Sequence, residues 1–214
     1  MEPTLPQRLH LISHDLDRGR SDPVSTSYRG HLLRAAALAE LVTGGWIRDD
    51  DGRAARAADA PPPRDAFLAE VWGGLSRDSP EPWANAVPDR TWRAEGTVRD
   101  QLVENGTVTV ERGRVLGLLP IRKTVPVRPG DVRLLRERTR EALLSAGGPA
   151  SAPAEDVALA AIAVDGDIGT VFTPKERHRH RAAVKELHER FGAEFPGMRN
   201  AILAAVVNRR AGNS

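Results

Sequence analysis

Between Asp89 and Pro129 the sequence passes from a helical pattern to a strand pattern and then into prolines, and few architectures accept that passage. Asp89 reads as the cap of a helix with Trp92, Val98, Leu102 and Val103 facing inward, and Asn105-Gly106 reads as its stop. Thr107 to Val110 is β-branched throughout and suits a pleated strand. Glu111-Arg112-Gly113-Arg114 offers a polar turn, after which Val115 to Leu119 runs back. Pro120, Pro126 and Pro129 cannot donate to a ladder, so the returning strand must break or lie at an edge. Val108, Val110, Val115 and Leu116 read as core. The far end joins Leu118, Leu119, Pro120 and Ile121 to Arg122 and Lys123, an apolar tip beside paired cations. Such a tip needs a second subunit or a surface that is both greasy and anionic.

The remaining composition permits a folded helical domain. At 214 residues, with 40% hydrophobic and 28% charged residues, the chain can bury a sizeable core as one domain. Its formal charge of +2 is too small for a global basic footprint, so any cationic site must be local. Lysine occurs only at Lys123, Lys175 and Lys185, and arginine carries the rest of the positive charge. The absence of cysteine excludes disulfides, thiolate metal sites and a cysteine nucleophile, and fits a reducing compartment. No apolar run approaches the roughly twenty residues that span a bilayer, and the N-terminus lacks a signal-peptide pattern.

Taken in order, the chain predicts helices separated by Gly and Pro punctuation. Thr4 caps a first helix with Leu5, Leu9, Ile12 and Leu16 on one stripe, and an alanine-rich second helix covers Thr26 to Thr43 before Gly44-Gly45. Trp46 to Ala55 reads as a small hairpin about an Asp-Gly turn. A helix with Phe67, Leu68, Val71, Trp72 and Leu75 on one face follows Pro61-Pro62-Pro63. Pro129 to Leu144 is a further amphipathic helix, and 147–153 is the most flexible linker of the chain. Ala154 to Val164 reads as a buried helix, Thr173-Pro174-Lys175-Glu176 as a capping box, and Met198 to about Arg209 as the last helix. The fold class is mainly α, a single-domain helical bundle over 1–214 with one hydrophobic β-hairpin.

Catalytic patterns are absent. There is no G-x-S-x-G elbow, no phosphate loop and no dinucleotide glycine pattern. His178 and His180 point apart on a helix, and His188-Glu189 lacks the second His of a zinc helix. The expectation is a protein without enzymatic activity, cofactor or metal. A helix followed by a basic hairpin also resembles the end of a winged-helix DNA-binding domain. Glu95, Asp100 and Glu104 on that helix oppose a phosphate backbone, so no nucleic-acid partner is expected.

Three stretches resemble the Golgi phosphoprotein 3-like family, specifically its compact bacterial branch. They are Leu33 to Leu41 with Gly44-Gly45-Trp46-Ile47, Leu102-Val103-Glu104-Asn105-Gly106, and Arg114 to Pro120, with Phe172-Thr173-Pro174 continuing the match. The resemblance implies a helical domain with a hydrophobic hairpin, which in eukaryotic members is a peripheral membrane protein that binds phosphatidylinositol 4-phosphate and tethers membrane enzymes. It implies a headgroup pocket in which Arg34 matches the family arginine and Tyr28 is the ring nearest the family tryptophan position, itself at Ser25. Two later basic positions fall on Trp92 and Glu95, flanked by Arg90, Arg93 and Arg99. The candidate headgroup residues are therefore Arg34, Tyr28, Arg90 and Arg93, and the contact hairpin is Leu118, Leu119, Pro120, Ile121, Arg122 and Lys123. The expected partner is an anionic phospholipid surface, or a second copy through the hairpin, for a cytoplasmic protein attached peripherally to membrane. The family's N-terminal partner-binding tail is expected to be absent, because the first helix begins almost at Met1. Burying Leu118, Leu119 and Ile121 gives about 4 to 5 kcal/mol, and each cation near an anionic leaflet adds about 1. That is marginal, reversible attachment.

Overall fold

The computed structural model describes residues 2–115 and 119–212, with the backbone alone over 112–115 and 119–122. The chain is mainly α. Helix α1 (Leu5–Ile12) leads into a short pairing of β1 (His14–Asp15) with β2 (Arg20–Ser21). Helix α2 (Arg29–Thr43) is the axis of the molecule: Ala35 to Ala39 are fully buried, and the alanines let α1 pack closely upon it. Strands β3 (Ile47–Asp49) and β4 (Arg53–Arg56) pair antiparallel about Asp51 and Gly52, both at positive φ, as a two-residue hairpin requires. Helix α3 (Ala66–Gly74) buries Phe67, Leu68, Val71 and Trp72. Strand β5 (Glu81–Pro82) adds to β4, and the short α4 (Trp83–Ala86) follows.

Helix α5 (Thr91–Glu104) buries Ala94, Val98 and Leu102. Gly106 at φ 72° ends it, with the Gly106 N–H bonded to the Val103 carbonyl and that of Thr107 to the Leu102 carbonyl. Strands β6 (Val108–Val115) and β7 (Leu119–Pro126) then form a two-stranded antiparallel ribbon. Helices α6 (Pro129–Leu144), α7 (Gly148–Ser151), α8 (Ala154–Asp165), α9 (Pro174–Arg179), α10 (Arg181–Glu194) and α11 (Met198–Ala211) complete the chain. All but the ends of α8 is buried, and the capping box at Thr173 and Glu176 is formed on both sides. The 147–153 stretch carries α7, whose Pro149 is buried.

The structure corrects the sequence reading at several points. Glu111-Arg112-Gly113-Arg114 is strand, not turn, because the register from Val108–Pro126 runs unbroken to Val115–Leu119. Each strand of a two-stranded ribbon has a free edge, so Pro120 and Pro126 interrupt nothing. Trp92 is 81% exposed rather than inward, since Ala94, Val98 and Leu102 form the buried stripe of α5. Asp89 does not cap α5: it turns toward Arg34, and Arg90 takes the cap position at φ 46°. The first helix stops at Ile12 instead of carrying Leu16, the second begins at Arg29 instead of Thr26, and a short strand pair lies between them.

One helix is capped from a distance. Thr4 makes no side-chain cap, and the N–H of Leu5 is bonded instead by the Glu40 carboxylate of α2 at 2.5 Å. Burial pushes the Glu40 carboxyl up to about 7, against the opposing effect of that bond. A carboxyl raised in the folded state stabilises below its unfolded value, near 4.5, and loses that contribution as pH rises through 7. Glu40→Gln keeps an acceptor for Leu5 and is expected to gain about 3 kcal/mol relative to the parent on going from pH 4 to pH 8. Urea unfolding at both pH values checks this, and parallel pH profiles would exclude it.

Candidate functional site

The first turns of α2 and α5 approach so closely that a Cβ on Gly30 would lie 2.1 Å from the Thr91 carbonyl oxygen. Only glycine permits that approach. Beside this crossing lies an open cleft of about 380 Å³, walled by Thr26, Ser27, Gly30, His31, Thr91, Trp92, Glu95 and Arg209. Its wall is fixed by Arg29, whose side chain is 1% exposed. The Arg29 guanidinium donates to the Glu95 carboxylate at 2.7 Å, to the Asp22 carbonyl at 2.6 Å and to the Thr26 hydroxyl at 3.2 Å. Arg29 therefore sews the 22–26 loop to α5 and cancels the charge of Glu95.

The uncancelled groups of the cleft are cationic or neutral. Arg209 donates to the Ser27 carbonyl at 3.1 Å, and no carboxylate stands within ion-pair distance of it among the described residues. Burial, and then the charge of Arg209, hold His31 below its ordinary value, so it is neutral near pH 7. No side chain caps the start of α5, which presents Thr91 and Trp92 to the cleft. Hydroxyls, a neutral imidazole, an arginine and an open helix start can together receive one oxyanion. No group of three or more metal-ligating side chains is gathered among the described residues.

The four residues expected from the headgroup motif do not converge. Arg34 is 3% exposed and lies beyond the α2–α5 crossing, donating to the Ala86 carbonyl at 2.5 Å and to Asp89 at 2.8 Å. Tyr28 is 1% exposed; its hydroxyl donates to the Gly166 carbonyl at 3.2 Å and accepts from Arg210 at 2.8 Å. Arg90 and Arg93 are exposed beside Trp92, with only loose contacts to Asp89 and Glu70 at 3.9 and 3.8 Å. The cleft wall contains none of the four. Sequence reasoning missed Arg29, His31 and Arg209. Arg209 is separated from His31 by almost the whole chain, and nothing in an arginine-rich sequence marks it.

A two-stranded ribbon stands where a hairpin was expected, with its pairing carried on to Val115–Leu119. Alternation places Val115 opposite Leu119, Gly113 opposite Ile121 and Glu111 opposite Lys123 on one face, and Arg112 opposite Arg122 and Arg114 opposite Pro120 on the other. Leu118 lies outside the described residues, as do the side chains of Leu119, Pro120, Ile121 and Arg122. Lys123 is described, and its ammonium reaches to 3.0 Å from where a Cβ on Gly19 would stand. From Gly19 the chain runs through β2 to Thr26 on the cleft wall, so ribbon and cleft are joined by one short segment. No helix among the described residues is long and apolar enough to cross a membrane.

Fold and site together define a mainly α protein that carries a long two-stranded ribbon beside a polar cleft built on its central helix. The sequence model of one family, described as Golgi phosphoprotein 3 (GPP34), matches residues 5–208, and the chain belongs to that family. Among curated proteins no match is found.

Proposed function

We propose that this protein attaches peripherally to membranes by receiving an anionic phospholipid headgroup in the α2–α5–α11 cleft while the ribbon lies against the bilayer. The observation that carries the reading is Arg209 standing, among the described residues, without a carboxylate partner and beside polar donors, in a cleft joined to the ribbon by one short segment. Glu95 is neutralised by Arg29 and His31 is held neutral, so the cleft offers about one net positive charge. That suits a single phosphate charge. The family resemblance adds phosphatidylinositol 4-phosphate as the specific lipid, and adaptor activity as the role. Duplex DNA suits the molecule less, because the exposed face of α5 presents Asp100 and Glu104.

The experiment is co-sedimentation with vesicles of phosphatidylcholine, alone or with phosphatidylglycerol or phosphatidylinositol 4-phosphate at equal surface charge. The protein is expected to pellet with both anionic mixtures and to be released by 0.5 M salt, which shortens the Debye length to about 4 Å and screens the attraction to the leaflet. Stronger binding to phosphatidylinositol 4-phosphate than to phosphatidylglycerol would assign headgroup specificity, and equal binding would assign charge alone. Arg209→Glu reverses one charge worth about 1 kcal/mol on each side and should weaken binding roughly thirtyfold. Leu119→Ser with Ile121→Ser should weaken it as well. Equal pelleting with neutral vesicles would sink the reading. A changed sedimentation coefficient with unchanged vesicle binding would reassign the ribbon to a contact between two copies.

A further inference from the structure

Of the four tryptophans, three are held by the fold. Trp83 is buried with its indole N–H on Asp49 at 2.7 Å, Trp72 is buried beneath the Arg56 guanidinium, and the indole N–H of Trp46 donates to the Pro61 carbonyl. Trp92 has no such place. It stands 81% exposed at the second position of α5, on the rim of the cleft, where its indole gains nothing from the core. A single exposed side chain needs no partner by itself, so its surroundings decide.

Its surroundings indicate which partner. Arg90 and Arg93 flank it with more than half of each side chain in solvent, and the Arg93 guanidinium sits 5.4 Å from the ring centre. Arg209 lies across the cleft. Val24, 54% exposed, stands two residues before Thr26 of the same wall. An amphipathic ring among arginines, with a second apolar side chain nearby, matches the headgroup layer of an anionic bilayer. There the indole body meets acyl carbons, its N–H meets water and ester oxygens, and the arginines meet phosphates. A folded protein surface complementary to this rim would need carboxylates around an apolar pocket, and the cationic ribbon attached to the cleft wall favours the lipid. Arg90 takes the cap position of α5 in a left-handed conformation, next to Asp89, which pairs with Arg34.

We infer that Trp92 is a second membrane anchor, separate from the ribbon, which enters the headgroup layer of an anionic bilayer at the rim of the cleft. The inference rests on the proposed membrane attachment and gives Trp92, which stands where the resemblance places a basic headgroup residue, a different role. Two anchors joined by the rigid domain make attachment depend on both, because the second contact forms at a high effective concentration once the first is made.

Tryptophan emission of the full chain tests this, since Trp92 is the most exposed of the four. With phosphatidylcholine–phosphatidylglycerol vesicles, the emission is expected to shift to shorter wavelength, to lose accessibility to aqueous iodide, and to be quenched by lipids brominated near the carbonyl end of the acyl chain. Trp92→Ala should abolish all three changes and weaken vesicle binding about tenfold, with unchanged thermal stability because the ring is not packed. Trp92→Phe should recover part of the affinity. If the parent pellets with the vesicles while Trp92 stays open to iodide, the anchor is excluded and the headgroup reading survives. Failure to pellet with any vesicle excludes both. Protection of Trp92 from iodide without lipid, rising with protein concentration, would overturn the anchor in favour of a contact between copies.

Discussion

Arg34→Ala is expected to destabilise the folded protein by about 3 kcal/mol, as truncation of one partner of a buried ion pair does. The Arg34 side chain is 4% exposed and joins two elements: its Nε–H satisfies the Ala86 carbonyl at the end of α4, and its Nη2 holds Asp89 ahead of α5. Burial lowers the pKa of the guanidinium, while Asp89 raises it. Removing Arg34 leaves a buried carbonyl without a donor and releases Asp89, which is 36% exposed and regains water; this keeps the cost below that of a fully buried pair. Arg34→Lys keeps the charge but cannot serve both acceptors in the same plane, and should fall between parent and alanine variant. Denaturant unfolding measures the loss. If Arg34→Ala were as stable as the parent but no longer bound anionic vesicles, Arg34 would be a headgroup ligand and the structural role given to it here would be wrong.

The second large effect is on acid stability. His10 is buried within α1, its Nδ1 finds no hydrogen-bond partner among the described residues, and Arg29, His14 and Arg99 lie near it. Burial first, and those positive charges next, push it down from 6.5 to about 3. The neutral imidazole is thus the folded form. Below pH 6.5 the unfolded chain takes up a proton that the folded chain refuses, so the contribution present at neutral pH is lost as pH falls toward 3. His10→Leu removes the titrating group while keeping similar volume. Its stability relative to the parent should improve by about 3 kcal/mol between pH 7.5 and pH 4. A constant difference across that range would show that His10 does not govern the acid limb. Glu40 titrates in the opposite sense over an overlapping pH range, but parent and His10→Leu variant share it, so its contribution cancels in their difference.

The sequence by itself determined where the long helices lie and where several of them stop. Apolar stripes at helical spacing, the Gly106 stop, the Asp-Gly hairpin and the Thr173 capping box are all set by residues within a few positions of one another. It also determined that a strand pair with an apolar and cationic far end lies between α5 and α6. Local chemistry is enough for these, because turn and cap energies depend on neighbours along the chain. The turn of the ribbon was not legible. Gly113 between arginines looks like a turn, yet pairing from the base of the ladder outward carries it into β6.

The cleft was decided by tertiary structure alone. Motif matching singled out Arg34 and Tyr28, which the fold buries as ties, whereas His31 and Arg209 come to one wall only when α11 closes upon α2. Whether an arginine is a tie or a site depends on the carboxylates and carbonyls that folding brings within reach. Arg34 meets Asp89 and Arg29 meets Glu95, while Arg209 meets, among the described residues, a carbonyl and no carboxylate. Ion pairing between distant segments is a property of the packed molecule, and a linear sequence rich in arginine does not reveal which of its cations are left over.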